Sequence, residues 1–69
     1  MRIIYTYHAK KRMKQRGLNS LHVEYILNHP DYVKNSIDNT KEATGSIENR
    51  SIKVVFVVIE NYINIITVI

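Results

Sequence analysis

The pattern of hydrophobic and polar positions changes near Pro30, the single proline of the chain. Before Pro30, apolar side chains recur about every three to four positions, which is the period of an α-helix. After it, apolar residues alternate with polar ones or run almost continuously, as is typical of β-strands. Residues 2–6 precede the helical part and are rich in β-branched and aromatic side chains, so they predict a first strand.

The first predicted helix spans residues 7–16. Thr6 can act as its N-cap, and Gly17 is well placed as the left-handed residue that ends it. Within the helix, Ala9 and Met13 form a narrow apolar stripe, while basic and polar side chains occupy most other positions. The stripe therefore predicts the buried side of a helix whose opposite face is solvated.

The second predicted helix runs from Ser20 to about Asn28, with Asn19 or Ser20 as its N-cap. Pro30 stops it, because the residue before a proline avoids the α region. The link at Gly17 and Leu18 is short, so the two helices form a hairpin. The apolar positions of this helix are Leu21, Tyr25 and Ile26 at i, i+4 spacing, with Val23 and Leu27 on an adjoining face.

Four further strands are predicted at residues 32–37, 42–47, 51–59 and 63–69, separated by turn signals at 38–40, 48–50 and 60–62. Gly45 indicates a bulge or a close approach within its strand. The near-continuous apolar run at 51–59 predicts a central strand that is buried on both faces. The order β-α-α-β-β-β-β predicts one α+β domain over residues 1–69, in which two helices pack on one face of a small antiparallel sheet.

The charge of the chain is concentrated at one end. The net charge is +4, and residues 1–17 contain six basic residues and no acid. The rest of the chain contains four basic residues and all six acids, a net charge of −2. A local positive field of this kind suits phosphate, anionic lipid or an acidic protein surface.

Several function classes lack the residues that they need. There is no cysteine, so disulfides and thiolate zinc sites are excluded. His22 and His29 are seven positions apart without a third ligand at metal spacing, and no metal or other cofactor is expected. The most apolar run, Val54 to Ile59, is far shorter than the roughly 20 residues of a membrane helix. No signal peptide is visible, so a cytoplasmic protein without a membrane segment is expected.

The first helix carries a row of groups that can serve phosphate chemistry. His8, Arg12 and Arg16 follow i, i+4, i+8 spacing, which places them on one face beside the apolar stripe. An arginine can grip a phosphate with two parallel hydrogen bonds, and a histidine can exchange a proton near neutral pH. The alternative is that the arginines lie along the sheet and pair with Glu48, Glu60 or a backbone carbonyl. Lys10, Lys11 and Lys14 form the solvated face.

The sequence H-A-K-K-R-M-K-Q-R-G at residues 8–17 resembles a small prokaryotic domain of unknown function, whose members typically read H-A-x-x-R-M-x-x-R-G. A helix ending in Asn28-x-Pro30, the run Arg50-x-x-Lys53-Val-Val and a final Ile-Thr-Val extend the resemblance over nearly the whole chain. That domain is commonly grouped with the RelE/ParE-like toxins of type II toxin–antitoxin systems. The resemblance implies the same element order and a metal-independent endoribonuclease of the mRNA interferase type.

The resemblance also implies roles for particular residues. His8, Arg12 and Arg16 are the expected catalytic residues, the histidine as general acid or base and the arginines stabilising the phosphoryl oxygens. Members often end in Thr-Val-Tyr, whereas this chain ends in Thr-Val-Ile69, which leaves Tyr5, Tyr7 or Tyr62 as the candidate aromatic residue. The RNA-binding residues are expected to be Lys10, Lys11, Lys14, Arg50, Lys53 and Tyr7.

The expected partners are RNA, on or off the ribosome, and a cognate antitoxin protein. A chain of 69 residues can also gain stability by forming a homodimer. A second hypothesis from a different class is a non-catalytic nucleic-acid-binding or protein-interaction module that uses the basic helix only to contact its partner. The two hypotheses differ at His8, because its loss should abolish cleavage and leave affinity nearly unchanged.

Overall fold

The computed structural model describes residues 2–36 and 38–69. The elements are β1 (Arg2–Tyr5), α1 (Tyr7–Arg16), α2 (Ser20–Asn28), β2 (Tyr32–Asn35), β3 (Lys41–Ile47), β4 (Arg50–Ile59) and β5 (Tyr62–Val68). The predicted order β-α-α-β-β-β-β and the α+β class are therefore confirmed. The predicted strand at 32–37 ends earlier in the structure, and its last residue, Ile37, lies outside the described residues.

The five strands form one sheet in the order β1-β5-β4-β3-β2. Three of the neighbouring pairs are antiparallel, but β1 runs parallel to β5, with Tyr5 opposite Ile65. The predicted antiparallel arrangement therefore holds for three of the four strand pairs, and the exception is the β1–β5 pair. Its two strands come from opposite ends of the chain, so no hairpin turn sets their direction, and the intervening helices and strands supply the long connection that parallel pairing needs.

Both helices pack on the same face of the sheet, and one hydrophobic core lies between the two layers. The buried core residues are Ala9, Met13, Leu18, Val23, Ile26, Ala43, Ile52, Val54, Phe56, Ile65 and Val68. The central position predicted for β4 is confirmed, but burial on both of its faces is not. Val54 and Phe56 face the helices and are buried, whereas Val55 and Val57 point to the uncovered face and are half-buried.

The predicted ends of α1 are both observed. The Thr6 Oγ1 accepts a hydrogen bond from the Ala9 N–H at 3.0 Å, as an N-cap does. Gly17 adopts the left-handed conformation with φ +69°, and its N–H donates to the Lys14 carbonyl. The next residue, Leu18, is buried and donates to the Met13 carbonyl at 2.8 Å. This pattern is a Schellman motif, which ends the helix and returns the chain to the core.

The N-terminus of α2 is closed by a reciprocal pair of hydrogen bonds. The Asn19 side chain accepts from the His22 N–H at 3.1 Å, and His22 Nδ1 accepts from the Asn19 N–H at 3.0 Å. This is a capping box in which a histidine takes the place usually held by a glutamate or glutamine. One ring nitrogen of His22 is therefore engaged in capping the helix.

The sheet covers only part of the apolar surface of α2. Leu21 and Tyr25 are 73% and 51% exposed, while Val23 and Ile26 are fully buried against the sheet. The helix has apolar residues on two adjoining arcs, and the i, i+4 spacing alone does not say which arc faces the core. Packing against β3 and β4 buries one residue of each group, Val23 and Ile26.

Gly45 is a point of close approach between β3 and α2. A Cβ atom added at this position would lie 2.8 Å from Ile26 Cδ1, closer than a normal carbon–carbon contact. The irregularity in the sheet lies elsewhere, between Val55 and Phe56 of β4 where β4 pairs with β5. Of the two interpretations of Gly45 drawn from the sequence, close approach is therefore the correct one.

The turn predicted at residues 38–40 is organised by Asp38. Its Oδ1 accepts from Thr40 Oγ1 at 2.7 Å and from Ser36 Oγ at 2.9 Å. These hydrogen bonds favour the ionised carboxylate, so they hold the pKa of Asp38 below its ordinary value of 3.8.

In the part of the chain that the structure describes, no helix has the length and hydrophobicity to cross a membrane.

Substituting Gly45 by valine should destabilise the fold. Gly45→Val places two additional methyl groups beyond the Cβ, which already meets the buried Ile26, so we expect a loss of about 2 kcal/mol in the free energy of unfolding. Urea denaturation followed by circular dichroism measures this loss. Ser46→Val is the matched control, because Ser46 is exposed on the other face of the same strand and should change stability by less than about 0.5 kcal/mol.

Candidate nucleic-acid interface

Helix α1 is held against the outer edge of β5. Strand β1 pairs with β5 only as far as Ile65, so beyond that residue the outer edge of β5 has no neighbouring strand. Thr6 forms the next hydrogen bonds along this edge. Its N–H donates to the Ile65 carbonyl at 3.1 Å, and its Oγ1 donates to the Ile66 carbonyl at 2.8 Å. Farther along, Arg12 Nε donates to the Val68 carbonyl at 3.4 Å. These contacts fix both the start and the middle of α1 on the sheet.

The row of His8, Arg12 and Arg16 lies along the border of α1 beside the buried stripe. His8 is exposed, and the two arginines are half-buried. Because Arg12 is held through Nε, its two terminal amino groups stay available, and no hydrogen-bond partner for them is found within residues 2–36 and 38–69. A guanidinium that is held in this way can offer its terminal amino groups to an anion.

Arg50 joins this row from the sheet. Its Nη2 donates to the carbonyl of Arg16 at 2.7 Å, at the C-terminal end of α1. The carbonyls of a helix C-terminus lack partners within the helix and carry a partial negative charge, so a guanidinium is favourable there. Arg50 therefore stabilises the end of α1 and extends the line of positive charge by one residue.

Lys53 does not join the row, although the sequence motif grouped it with Arg50. Side chains alternate between the two faces of a strand, and Lys53 lies between Ile52 and Val54, which face the helices. Its side chain points to the uncovered face, where its Nζ lies 3.4 Å from a carboxylate oxygen of Glu42. The sheet therefore separates Lys53 from the cations of α1.

The three lysines of α1 are exposed and form the outer part of a surface that we call the α1 basic face. It consists of Lys10, Lys11, Lys14, His8, Arg12, Arg16 and Arg50. Among the described residues, no acidic side chain forms an ion pair with this surface. The ion pair found there joins Lys53 and Glu42, which are not part of it. The alternative in which Arg12 or Arg16 pairs with Glu48 or Glu60 is not observed there, but Arg12 does contact a backbone carbonyl.

Of the three candidate tyrosines, Tyr7 alone adjoins the α1 basic face with its ring exposed. It is 82% exposed and directly precedes His8. Tyr5 points into the protein, its hydroxyl is buried, and burial together with the nearby Glu24 raises the pKa of Tyr5 above its ordinary 10.0. Tyr62 is at the far end of β5 and alternates with Ile63, so it lies on the uncovered face of the sheet.

The α1 basic face contributes no residue to the groove found in the described part of the chain. That groove has a volume of about 320 Å³ and is lined by Leu21, His22, Tyr25, Ser46, Ile47 and Glu48. No cluster of three metal-ligating side chains occurs within the described residues. The ring of His29 stacks on Tyr25 at 4.9 Å. An exposed, densely cationic helix face suits an extended polyanion better than a small molecule, which usually binds in a concave pocket.

Two contacts of the site could not be inferred from local sequence signals. The hydrogen bond from Thr6 to Ile66 joins residues 60 positions apart, and that from Arg50 to Arg16 joins residues 34 positions apart. The motif marked Arg50 as a candidate, but its contact with the end of α1 depends on how β4 is placed beside the helix.

Residues 5–69 match a family model described as "Domain of unknown function (DUF4258)". The chain belongs to this family. Neither the search of curated proteins nor that of solved structures gave a match. The DUF4258 match includes all of α1 and every residue of the α1 basic face, so this surface lies within the family domain. The family description assigns no activity, and the chemistry of the surface is therefore what indicates a function.

Replacing Arg50 by methionine should weaken the attachment of α1. Arg50→Met keeps an unbranched side chain but removes the donor to the Arg16 carbonyl, so we expect a loss of about 1 kcal/mol in the free energy of unfolding. Urea denaturation of the two proteins measures it. Lys11→Met removes the same charge from an exposed position and should cost less than about 0.5 kcal/mol. Equal losses in the two variants would contradict a specific contact at Arg50.

Proposed function

We propose that this DUF4258 protein is a metal-independent endoribonuclease of the RelE/ParE-like toxin type, and that its α1 basic face binds the phosphate backbone of RNA. The observation that carries the proposal is the α1 basic face, a line of cations without an acidic partner among the described residues. Like charges at i, i+4 spacing destabilise a helix slightly, so their clustering supports a role in binding an anion. The helix motif by which the sequence resembles a domain grouped with those toxins lies on this same surface.

In this proposal the arginines stabilise the charge that develops during cleavage. The 2′-hydroxyl of the RNA attacks the adjacent phosphorus, a bond to the 5′-oxygen breaks, and negative charge increases on the phosphoryl oxygens. Arg12 and Arg16 supply hydrogen-bond donors to those oxygens, and Arg50 adds positive charge at the end of the row. The attachment of Arg12 to Val68 orders its guanidinium before RNA arrives, which reduces the entropy lost on binding.

His8 moves a proton in the same step. It protonates the leaving 5′-oxygen or takes the proton of the 2′-hydroxyl, and water carries the other proton. Its position in the first turn of α1 places it at the opposite end of the row from Arg50. Tyr7, next to His8 and highly exposed, offers a ring on which an unpaired base can stack. Single-stranded RNA is therefore the proposed substrate, on or off the ribosome.

The toxin type also implies a protein partner. A cognate antitoxin would block the activity, and its acidic side chains could cover the α1 basic face. The proposed cellular location is the cytoplasm, where both RNA and such a partner are found.

A second candidate function is a nucleic-acid-binding or protein-interaction module without catalytic activity. It is favoured by the contacts that two of the arginines make within the fold, Arg12 with Val68 and Arg50 with Arg16. It is favoured also by His8, for which the described residues provide no hydrogen-bond partner that would orient its ring. A histidine that acts as general base is usually oriented by a third group.

Cleavage of labelled single-stranded RNA in the presence of EDTA tests the proposal. Wild-type protein should cut the RNA without metal, and His8→Ala should reduce the rate about 10²–10⁴-fold while leaving affinity unchanged. His8 is exposed, and no hydrogen bond or ion pair of its side chain is found in the described part of the chain, so this variant should remain folded. His29→Ala is the matched control, because it removes an exposed histidine from outside the α1 basic face.

The outcomes separate the two candidates. RNA that stays intact both with and without ribosomes would overturn the nuclease. In that case, affinity that falls steeply with salt and is weakened by Lys10→Ala and Lys14→Ala would support the binding module. Equal loss of cleavage in His29→Ala would contradict a specific role for His8.

A further inference from the structure

Strand β2 forms the edge of the sheet that is farthest from α1, and all four of its residues are exposed. Tyr32 lies opposite Thr44, and Lys34 lies opposite Glu42. Two residues after Lys34, the Ser36 N–H donates to the Thr40 carbonyl, so every second residue of this segment forms its backbone hydrogen bonds toward β3. In an antiparallel ladder, residues that exchange backbone hydrogen bonds alternate with residues whose N–H and C=O point away. The N–H and C=O groups of Val33 and Asn35 therefore point outward, away from β3.

The helix layer leaves this edge of the molecule uncovered. Helix α1 packs on β5, and α2 packs on β3 and β4, so neither helix extends over β2. Val33 faces the helix side of the sheet and is 48% exposed. Tyr25 and Leu21 of α2 are also exposed and line the groove beside the end of β3. Exposed apolar side chains next to an unpaired strand edge are typical of an interaction surface.

The charge distribution favours a second copy of the chain at β2 over one at the other edge of the sheet. The outer edge of β1 lies on the side of α1, whose five positive charges would approach those of the second copy. At the β2 edge the charges have both signs: Asp31 precedes the strand, Lys34 lies in it, and Lys41 and Glu42 lie opposite it on β3. Pairing through β2 keeps the two basic helices at opposite ends of a ten-stranded sheet, where their repulsion is weakest.

Lys34 disfavours one register of such a pairing, and the register centred on Val33 gives it a favourable partner. If the two-fold axis passed through Lys34, the two lysines would lie directly opposite each other, which is unfavourable. If the axis passes through Val33, the two Val33 residues exchange both backbone hydrogen bonds, and Lys34 of each copy lies opposite Tyr32 of the other. A lysine beside a tyrosine ring gains a cation–π interaction, and the two valine side chains pack together.

We propose that the chain forms a symmetric homodimer in which two β2 strands pair antiparallel about Val33. The surface buried consists of the β2 edge and its exposed apolar side chains. The proposal does not depend on the nuclease function, because the β2 edge and the α1 basic face lie at opposite ends of the sheet. In the dimer both basic faces stay accessible.

Sedimentation velocity over a wide range of protein concentration tests the dimer. Wild-type protein should approach twice the chain mass of 8.1 kDa as concentration rises. Val33→Pro should stay monomeric, because proline removes the outward N–H without breaking a β2–β3 hydrogen bond. Val33→Ile keeps that N–H and a β-branched apolar side chain, so it should dimerise like the wild type. Circular dichroism verifies that both variants are folded.

Amide hydrogen exchange provides a second measurement that needs no variant. The Val33 N–H is exposed in a monomer, so its protection should increase with protein concentration, whereas the Lys34 N–H should be protected throughout. Wild-type protein that stays monomeric at all concentrations would overturn the proposal. It would also be overturned by a dimer that Val33→Pro leaves intact, or by Val33 exchange that does not depend on concentration.

Discussion

The arrangement of this small domain depends on which groups donate hydrogen bonds to the outer edge of β5 where its pairing with β1 ends at Ile65. Strand β1 stops at Tyr5, and the backbone carbonyls that follow on β5 need donors, because unpaired polar groups within a fold are costly. Thr6 supplies two of the donors and also caps α1. One residue therefore ends the first strand, begins the first helix and attaches that helix to the sheet.

The basic surface follows from this attachment. Only Ala9 and Met13 of α1 are buried, so the rest of the helix is free to carry charge. Two arginines donate to backbone carbonyls: Arg12 of α1 to Val68 at the end of β5, and Arg50 of β4 to Arg16 at the end of α1. The same side chains thus stabilise the fold and hold positive charge in fixed positions. A surface built in this way can bind a polyanion with little reorganisation, and this is the physical basis of the proposed function.

Features set by neighbouring residues could be predicted from the sequence. Thr6 and Gly17 bound α1 as expected, and the glycine at position 45 correctly indicated a close approach, although its partner, Ile26, could not be identified from local sequence. Features set by distant residues could not. The parallel direction of β1 depends on its pairing with the last strand, and the exposure of Tyr25 depends on which part of α2 the sheet covers. Lys53 was grouped with Arg50 by sequence, whereas strand alternation places it on the other face.

The central claim is that Thr6 joins the first strand, the first helix and β5, and the substitution Thr6→Val tests it most directly. Valine keeps the shape of threonine but removes both the acceptor for Ala9 and the donor to Ile66. Urea denaturation should then show a loss of about 2 kcal/mol in the free energy of unfolding, from the cap and the hydrogen bond together. Thr6→Ser retains the hydroxyl and should remain close to the wild type. A valine variant within about 0.5 kcal/mol of the wild type would contradict the account.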